Sequence, residues 1–152
     1  MLVNEIMTES PITVTGSMEI IKAAKLLLDQ HINGVPVVDD AGKLVGILCQ
    51  SDIIAQQKQL PVPSLFSFLD GYINLSSMKS LEKEVRKIAA TAVSDAMTPN
   101  PVTVSPDSSI ETVAALMVDH NFHTLPVVEN GLLVGVVGKE DLLRTLMPTD
   151  ER

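Results

Sequence analysis

Few side chains in this sequence could do chemistry: one cysteine, Cys49, and three histidines, of which two are spaced as His120-x-x-His123. Histidines three positions apart are neighbours on a helix and could share a metal ion. A zinc site needs further ligands, and Cys49 is distant in sequence, with no clear third ligand beside the pair. Cysteine on an apolar strand is more often buried and inert than nucleophilic. We therefore expect no metal centre, no catalytic residue and no required cofactor.

The charge balance argues against two classes of partner. The chain has 152 residues, 45% of them hydrophobic, with 19 acidic against 11 basic residues and a net charge of −8. Nonspecific nucleic-acid binding needs a dense basic surface, whereas the basic residues of 79–87 alternate with carboxylates. No apolar run approaches the ~20 residues of a spanning helix, and the N-terminus does not resemble a signal peptide. The sequence predicts a cytoplasmic protein that binds neither nucleic acid nor membrane.

The elements that would position a site come from an internal duplication. The matched segments are 5–14 with 95–104, 35–39 with 125–129, and 44–47 with 133–136. Met7 thus aligns with Met97, and one residue is lost in a turn of the second copy. Each copy alone is too small to bury both faces of its sheet and helices. We therefore expect the two copies to pack against each other.

Each copy predicts a strand, a helix, two strands and a final helix. The first strand is expected at 11–14 and 101–104, and helix-start residues follow at 16–17 and 106–108. Apolar residues at 3.6-residue spacing then mark one helix face in each copy: Ile20, Ala23, Ala24, Leu27 and Leu28, and Ile110, Val113, Ala114 and Met117.

A hairpin and a last helix complete each copy. Two short β-branched runs, 35–39 and 44–48, form the hairpin of the first copy, and Asn130-Gly131 is a strong hairpin turn in the second. The last helices are expected to start near Ser51 and Lys139. The predicted fold is α+β: two β-α-β-β-α units, at 3–56 and 93–147, related by a pseudo-twofold axis and packed sheet to sheet.

Residues 57–92 differ in character from both copies. They include the non-helical run Leu60-Pro61-Val62-Pro63 and three of the four aromatic residues of the chain. A helix is predicted from Ser80, with Leu81, Val85, Ile88 and Ala92 on one stripe. This segment is interpreted as a connector packed on its own domain, or as a dimer contact or a lid over a ligand, where aromatic residues concentrate.

The duplicated pattern Met-Thr-x-x-Pro, Val/Leu-Pro-Val-Val-Asp/Glu, Leu-Val-Gly-Ile/Val and Asp resembles the cystathionine-β-synthase-like (CBS) domain. Two copies in order resemble a Bateman module, and the resemblance covers most of the chain. It implies a regulatory module that senses an adenosine-containing nucleotide, such as AMP, ADP, ATP or S-adenosylmethionine, in the cleft between the repeats.

The resemblance also implies which residues hold the ribose. In the family the motif Gly-x-x-Ser/Thr-x-x-Asp does so, and an ionised Asp can accept hydrogen bonds from two hydroxyls. Here the motif ends at Asp52 and Asp141, which could instead serve only to cap their helices. Cys49 and Gly138 occupy the Ser/Thr position, so each copy lacks a hydroxyl whose hydrogen bond is worth ~1 kcal/mol.

Contacts to the base and phosphates follow from the same resemblance. For adenine it implies residues that could equally be plain core: Val35, Pro36, Leu125 and Pro126, with backbone groups near Val14 and Val104. His123 stands three before Pro126, where nucleotide-binding members often place a basic residue; Asn33 is its counterpart in the first copy, and His31, His120 and Lys139 are weaker candidates. With so few cations, AMP, ADP or a nucleoside is expected rather than tightly bound ATP.

A second interpretation stays open, namely a structural or protein-interaction module with degenerate, non-binding sites. The loss of both hydroxyls favours it, whereas both aspartates and His123 favour ligand binding. Because no second effector domain is recognisable, we expect the regulated partner to be another protein. Apolar helix faces on a two-repeat unit further predict a homodimer.

Overall fold

The computed structural model describes residues 1–57 and 91–147, so the connector predicted at 57–92, with its helix, lies outside the described residues except at its ends. The fold is α+β with two sheets, as predicted. In chain order the strands and helices are β1 (Thr8–Glu9), β2 (Val14–Thr15), α1 (Ile20–Asp29), β3 (Gly34–Val38), β4 (Leu44–Cys49), α2 (Gln50–Gln57), α3 (Val93–Ala96), β5 (Thr98–Pro99), α4 (Ile110–His120), β6 (Thr124–Glu129), β7 (Leu132–Gly138) and α5 (Lys139–Arg144).

Each repeat contributes an antiparallel hairpin, β3 with β4 in the first and β6 with β7 in the second. The predicted turn at Asn130-Gly131 is confirmed, because φ is 53° at Asn130 and 80° at Gly131. A type I′ turn requires this left-handed pair. In the first hairpin the turn is held by Asp39, whose Oδ1 accepts hydrogen bonds from the N–H groups of Ala41 and Lys43, each at 2.9 Å.

A short strand near the start of each repeat pairs with the sheet of the other repeat, a feature absent from the sequence prediction. Strand β1 pairs with β7, with Thr8 opposite Val136, and β5 pairs with β4, with Thr98 opposite Ile47. Val3, just before β1, is fully buried in the core of the second repeat. The sheets are therefore order β2-β3-β4-β5 and order β1-β7-β6, each with a strand from the opposite repeat.

The exchanged segments also complete the N-termini of the two longest described helices. Both α1 and α4 begin a few residues later than predicted. The Ile20 N–H donates to the Thr91 carbonyl at 2.8 Å, and the Ile110 N–H donates to the Met1 carbonyl at 3.2 Å. A backbone carbonyl from the segment that precedes the other repeat thus accepts a hydrogen bond from the first N–H group of each helix. The sequence analysis had assigned this capping role to a side chain near the helix start. A side-chain cap occurs at α4 as well, where the Ser109 hydroxyl accepts from the Thr112 N–H.

The cores lie under the predicted helix faces. Ala23 and Leu27 of α1, and Val113 and Met117 of α4, are buried, in one hydrophobic cluster per repeat. Leu28 is 69% exposed, so its assignment to the buried face was wrong. Consecutive helical residues point about 100° apart, since a turn takes 3.6 residues, and Leu27 already faces the sheet.

Candidate functional site

The described residues form two clefts between the repeats, and each cleft takes residues from both repeats. The Asp141 cleft has a volume of about 460 Å³ and is lined by residues within 8–12, 30–36, 123–124 and 136–144. The Asp52 cleft has a volume of about 590 Å³ and is lined by residues within 33–54, 98–102 and 120–126. Most lining positions are equivalent under the duplication. The exchanged strands β1 and β5 each form part of one wall.

Each cleft contains one of the predicted ribose aspartates, and one oxygen of each carboxylate caps its own helix. Asp141 Oδ2 accepts a hydrogen bond from the Gly138 N–H, and Asp52 Oδ2 accepts one from the Cys49 N–H, both at 2.8 Å. The capping role considered from the sequence is therefore present. It fixes the orientation of both carboxylates and uses one oxygen of each.

The second oxygen of each carboxylate meets another residue of the cleft lining. Arg144 Nη1 donates to Asp141 Oδ1 at 2.9 Å, and the Thr98 hydroxyl donates to Asp52 Oδ1 at 3.3 Å. Both partners are exposed and their contacts lie at the cleft wall. A ligand hydroxyl entering either cleft would find an oriented anionic acceptor, which makes charge-assisted and specific hydrogen bonds.

The motif position expected to carry a hydroxyl is occupied differently in the two clefts. Gly138 offers no side chain, and Cys49 places a partly buried thiol on the wall of the Asp52 cleft. Burial first, and the Asp52 charge second, raise the pKa of Cys49 from 9.0 to about 11. The thiol is therefore protonated at neutral pH, when it is a poor nucleophile.

The alkylation rate of Cys49 by iodoacetamide should reveal this pKa directly. In the folded protein the rate should rise with a midpoint near 11, and in urea near 9.0. The folded state holds the thiol proton more tightly than the unfolded state does, so the neutral thiol contributes to the free energy of unfolding. This contribution is fully present below the unfolded-state pKa and is lost as the pH rises through the folded-state pKa. Cys49 is the single cysteine of the chain, so mass spectrometry reports on it alone. A folded-state midpoint at or below 9.0 would contradict the burial of the thiol.

The predicted phosphate residues all line a cleft. His123 lines both clefts, and Lys139 lines the Asp141 cleft. His31 lies in the Asp141 cleft, and His120 lies in the Asp52 cleft, where its ring stacks on Phe122 with centroids 5.2 Å apart. Each cleft therefore has an imidazole of its own and shares a further one with its neighbour.

All six predicted adenine residues are buried, and three of them also line a cleft. Pro36 lines the Asp141 cleft, and Leu125 and Pro126 line the Asp52 cleft. The other three line neither cleft, and their side chains are buried in the two cores: Val14, Val35 and Val104. For these three an adenine contact stays a prediction, and it would have to involve backbone atoms.

Thr8, Thr98 and Arg144 are among the lining residues that the sequence analysis did not predict. Thr8 and Thr98 reach the clefts only because their strands are exchanged, and Arg144 reaches Asp141 from the next turn of α5. The recurrence of Met-Thr-x-x-Pro at both repeat starts was the available signal for the threonines. No signal in the duplication pointed to Arg144, because its counterpart is Ala55.

The described residues contain neither a cluster of metal ligands nor a helix that could cross a membrane. Within residues 1–57 and 91–147, no three His, Cys, Asp or Glu side chains form a group that could hold a metal ion. Across the same two ranges, every helix is too short or too polar to span a bilayer.

One protein-family model matches both repeats. The model of the CBS domain matches residues 3–58 and 93–148. An uncharacterized protein of Methanocaldococcus jannaschii is 32% identical over 155 residues, a match that covers 97% of this chain and 92% of that protein. Five further relatives are longer, and the chain spans between 23% and 58% of their length.

The solved structures that are similar over nearly the whole chain include two CBS proteins in complex with adenosine compounds. One is the CBS domain pair of protein MJ0100 in complex with 5′-methylthioadenosine and S-adenosyl-L-methionine, with a TM-score of 0.72 and 29% identity over 96% of this chain and 95% of that one. The other is CBSX2, a protein of Arabidopsis thaliana, in complex with AMP, with a TM-score of 0.73 and 27% identity over 99% of this chain and 98% of that one.

Proposed function

The chain belongs to the CBS domain family, as a pair of repeats, and from this premise we propose that it is a regulatory module that binds an adenosine-containing ligand in the clefts between its repeats. The observation that carries the proposal is the repeated carboxylate arrangement. Asp52 and Asp141 each have one oxygen fixed by a backbone N–H and the other at the cleft wall.

The proposed contacts follow from what lines each cleft. The aspartates accept hydrogen bonds from the ribose hydroxyls, and the proline of each cleft, Pro36 or Pro126, packs against the adenine. His123, with Lys139 in the Asp141 cleft, contacts the phosphate. CBS pairs similar to this chain were solved with AMP, or with 5′-methylthioadenosine and S-adenosyl-L-methionine, which supports an adenosine ligand without selecting among them.

Regulation rather than catalysis is the second part of the proposal. CBS-domain pairs are generally regulatory, and the one cysteine of the chain is held as a thiol. Ligand binding would change the packing of the repeats, and an effector protein in the cytoplasm would sense that change. The ligand regulates only if it binds one arrangement more tightly than the other.

Dimerisation is supported by apolar side chains exposed at equivalent positions of the two repeats. Leu28 and Val118 correspond, with exposures of 69% and 81%, and Ile54 corresponds to Leu143, with 60% and 59%. Four helices thus present matched apolar residues to the exterior. Burying them against a second copy under twofold symmetry would remove them from water.

One specific observation favours the alternative, an interaction module with degenerate sites. Neither Cys49 nor Gly138 supplies the hydroxyl of the family motif, and Arg144 already contacts the carboxylate that a ribose would use. The alternative predicts the same fold and the same dimer but no affinity for adenosine compounds.

A thermal-shift panel separates the two functions. AMP, ADP, ATP, S-adenosylmethionine and NAD are each added at millimolar concentration, with GMP as the control for base recognition. A ligand at 100 times its dissociation constant should add about 2.7 kcal/mol to the free energy of unfolding. The proposal predicts a rise in the melting temperature with at least one adenosine compound and a smaller rise with GMP. No rise with any of them would leave the interaction module as the function.

A further inference from the structure

The two clefts carry different charges at equivalent positions. Lys139 lines the Asp141 cleft, and its counterpart in the Asp52 cleft is Gln50. Arg144 also lines the Asp141 cleft, whereas its counterpart is Ala55. Among the described lining residues, full positive charges therefore occur in one cleft and not in the other.

This difference matters most for a phosphate group. In the Asp52 cleft a phosphate would approach the carboxylate of Asp52, and the described lining residues include no lysine or arginine that could offset the repulsion. In the Asp141 cleft the repulsion from Asp141 and Glu140 is offset by the ammonium of Lys139 and the guanidinium of Arg144. Hydrogen bonds from such cations to phosphate are roughly twice as strong as neutral ones.

Arg144 is placed to change partners when a nucleotide binds. Its side chain is 68% exposed and forms an i,i+3 ion pair with Asp141 at 2.9 Å. The Asp141 side chain is only 11% exposed, so its Oδ1 needs a hydrogen-bond donor. A ribose hydroxyl can supply that donor in place of Arg144, because an i,i+3 ion pair on a helix contributes little to stability. The displaced guanidinium remains within the same cleft, where it can donate to a phosphate.

The Asp52 cleft is better suited to an uncharged group. It is larger, about 590 Å³ against about 460 Å³. Its wall includes Phe122, Val102 and Ile54, and Phe122 replaces the smaller Ile32 of the other cleft. An apolar substituent would remove part of this surface from water, which is favourable in proportion to the area buried.

We propose that the two clefts select different ligands: the Asp141 cleft binds a nucleoside 5′-phosphate, and the Asp52 cleft binds an uncharged nucleoside with an apolar 5′ substituent. This inference rests on the proposed function, since it assigns ligand classes to the same two clefts. It makes the module a sensor of two adenosine compounds at once rather than of one compound at two equal sites.

The test exchanges the residues at the two equivalent positions, Lys139→Gln in one variant and Gln50→Lys in another, and measures ligand binding by calorimetric titration. AMP and 5′-methylthioadenosine are the probes, because they share the nucleoside and differ at the 5′ position. Lys139→Gln should weaken AMP binding about tenfold, the loss expected for one charge-assisted contact, and leave 5′-methylthioadenosine within about twofold. Gln50→Lys should add a second AMP site per chain. Both residues are exposed. Gln50 Nε2 donates to the Ile32 carbonyl at 3.1 Å, and a lysine at this position keeps a side-chain donor, so melting temperatures without ligand should stay close to the wild type.

The possible outcomes test the selectivity of the two clefts separately from the proposed adenosine-binding function. If the wild type binds two equivalent AMP molecules, or if Lys139→Gln leaves AMP affinity unchanged, selectivity by charge is overturned while the adenosine-binding function stands. If the wild type binds neither probe, the proposed function fails and the inference fails with it. Three results together support both the inference and the proposed function. The wild type binds one AMP per chain, Lys139→Gln lowers the affinity for that AMP, and Gln50→Lys binds two AMP per chain.

Discussion

Replacing Gly135 with alanine should destabilise the fold by about 3 kcal/mol, the upper part of the range for overpacking, and should abolish binding at the Asp141 cleft. The added Cβ would lie 2.8 Å from the Thr8 carbonyl oxygen and 2.9 Å from Met7 Sδ. The methionine tip could move, but the carbonyl is backbone, so strand β1 would have to leave β7. Because β1 leads into residues 8–12 of the cleft wall, the ligand would lose one side of its site.

The chain offers a matched control on the same strand. A Cβ on Gly138 would meet the His123 carbonyl oxygen at 3.6 Å and Asp141 Oδ2 at 3.8 Å, which are ordinary contacts, and φ there is −112°. Gly138→Ala should therefore keep the wild-type melting temperature, whereas Gly135→Ala should lower it by about 10 °C. Gly46→Ala should behave like Gly135→Ala, since its Cβ would lie 3.0 Å from the Thr98 carbonyl oxygen. Equal melting temperatures for Gly135→Ala and Gly138→Ala would contradict the strand exchange.

Exchanging both cleft aspartates for asparagine should weaken binding of adenosine compounds about a hundredfold. The double variant Asp52→Asn/Asp141→Asn removes the charge from every proposed contact to a ribose hydroxyl. Hydrogen bonds to charged groups contribute more than neutral ones, and losing about 1.4 kcal/mol at each of two hydroxyls corresponds to that factor. Asparagine retains a side-chain oxygen that can accept from the N–H of Cys49 or Gly138. The helix caps, and with them the fold, should therefore survive.

A control of equal charge change separates this effect from long-range electrostatics. Asp40→Asn/Asp107→Asn removes two exposed carboxylates that line neither cleft. Calorimetry should give the control the wild-type dissociation constant, and thermal unfolding should place both double variants within about 1 kcal/mol of the wild type. If the cleft variant binds as tightly as the control, the aspartates are not the ribose ligands.

Much of the fold could be predicted because its signals are local or repeated. The hairpin turn at Asn130-Gly131 depends on two residues that tolerate positive φ, and the buried faces of α1 and α4 depend on 3.6-residue spacing. The strand exchange had no such signal. Strand β1 is two residues long and pairs with β7, more than 120 positions away. The residues around β1 therefore contain no periodicity or strand propensity that would predict which strand it pairs with.

The clefts were predictable only in part, and for the same reason. Asp52 and Asp141 were identified because they end a repeated motif, and that motif also provides their cap. Val35 and its equivalent Leu125 are both buried, yet Leu125 lines a cleft and Val35 does not. Sequence pattern identifies such core positions but does not say which of them border a cleft, so the adenine contact of Val35 stays a prediction. Arg144 was missed because its contact with Asp141 has no counterpart in the first repeat.

The most direct test of ligand binding between the repeats is a crystal structure of the protein grown with saturating AMP. We expect electron density for the nucleotide in the Asp141 cleft, with a ribose hydroxyl within hydrogen-bonding distance of Asp141 Oδ1 and the phosphate near Lys139 and His123. Clefts without nucleotide density under these conditions, or a nucleotide bound elsewhere on the protein, would contradict it.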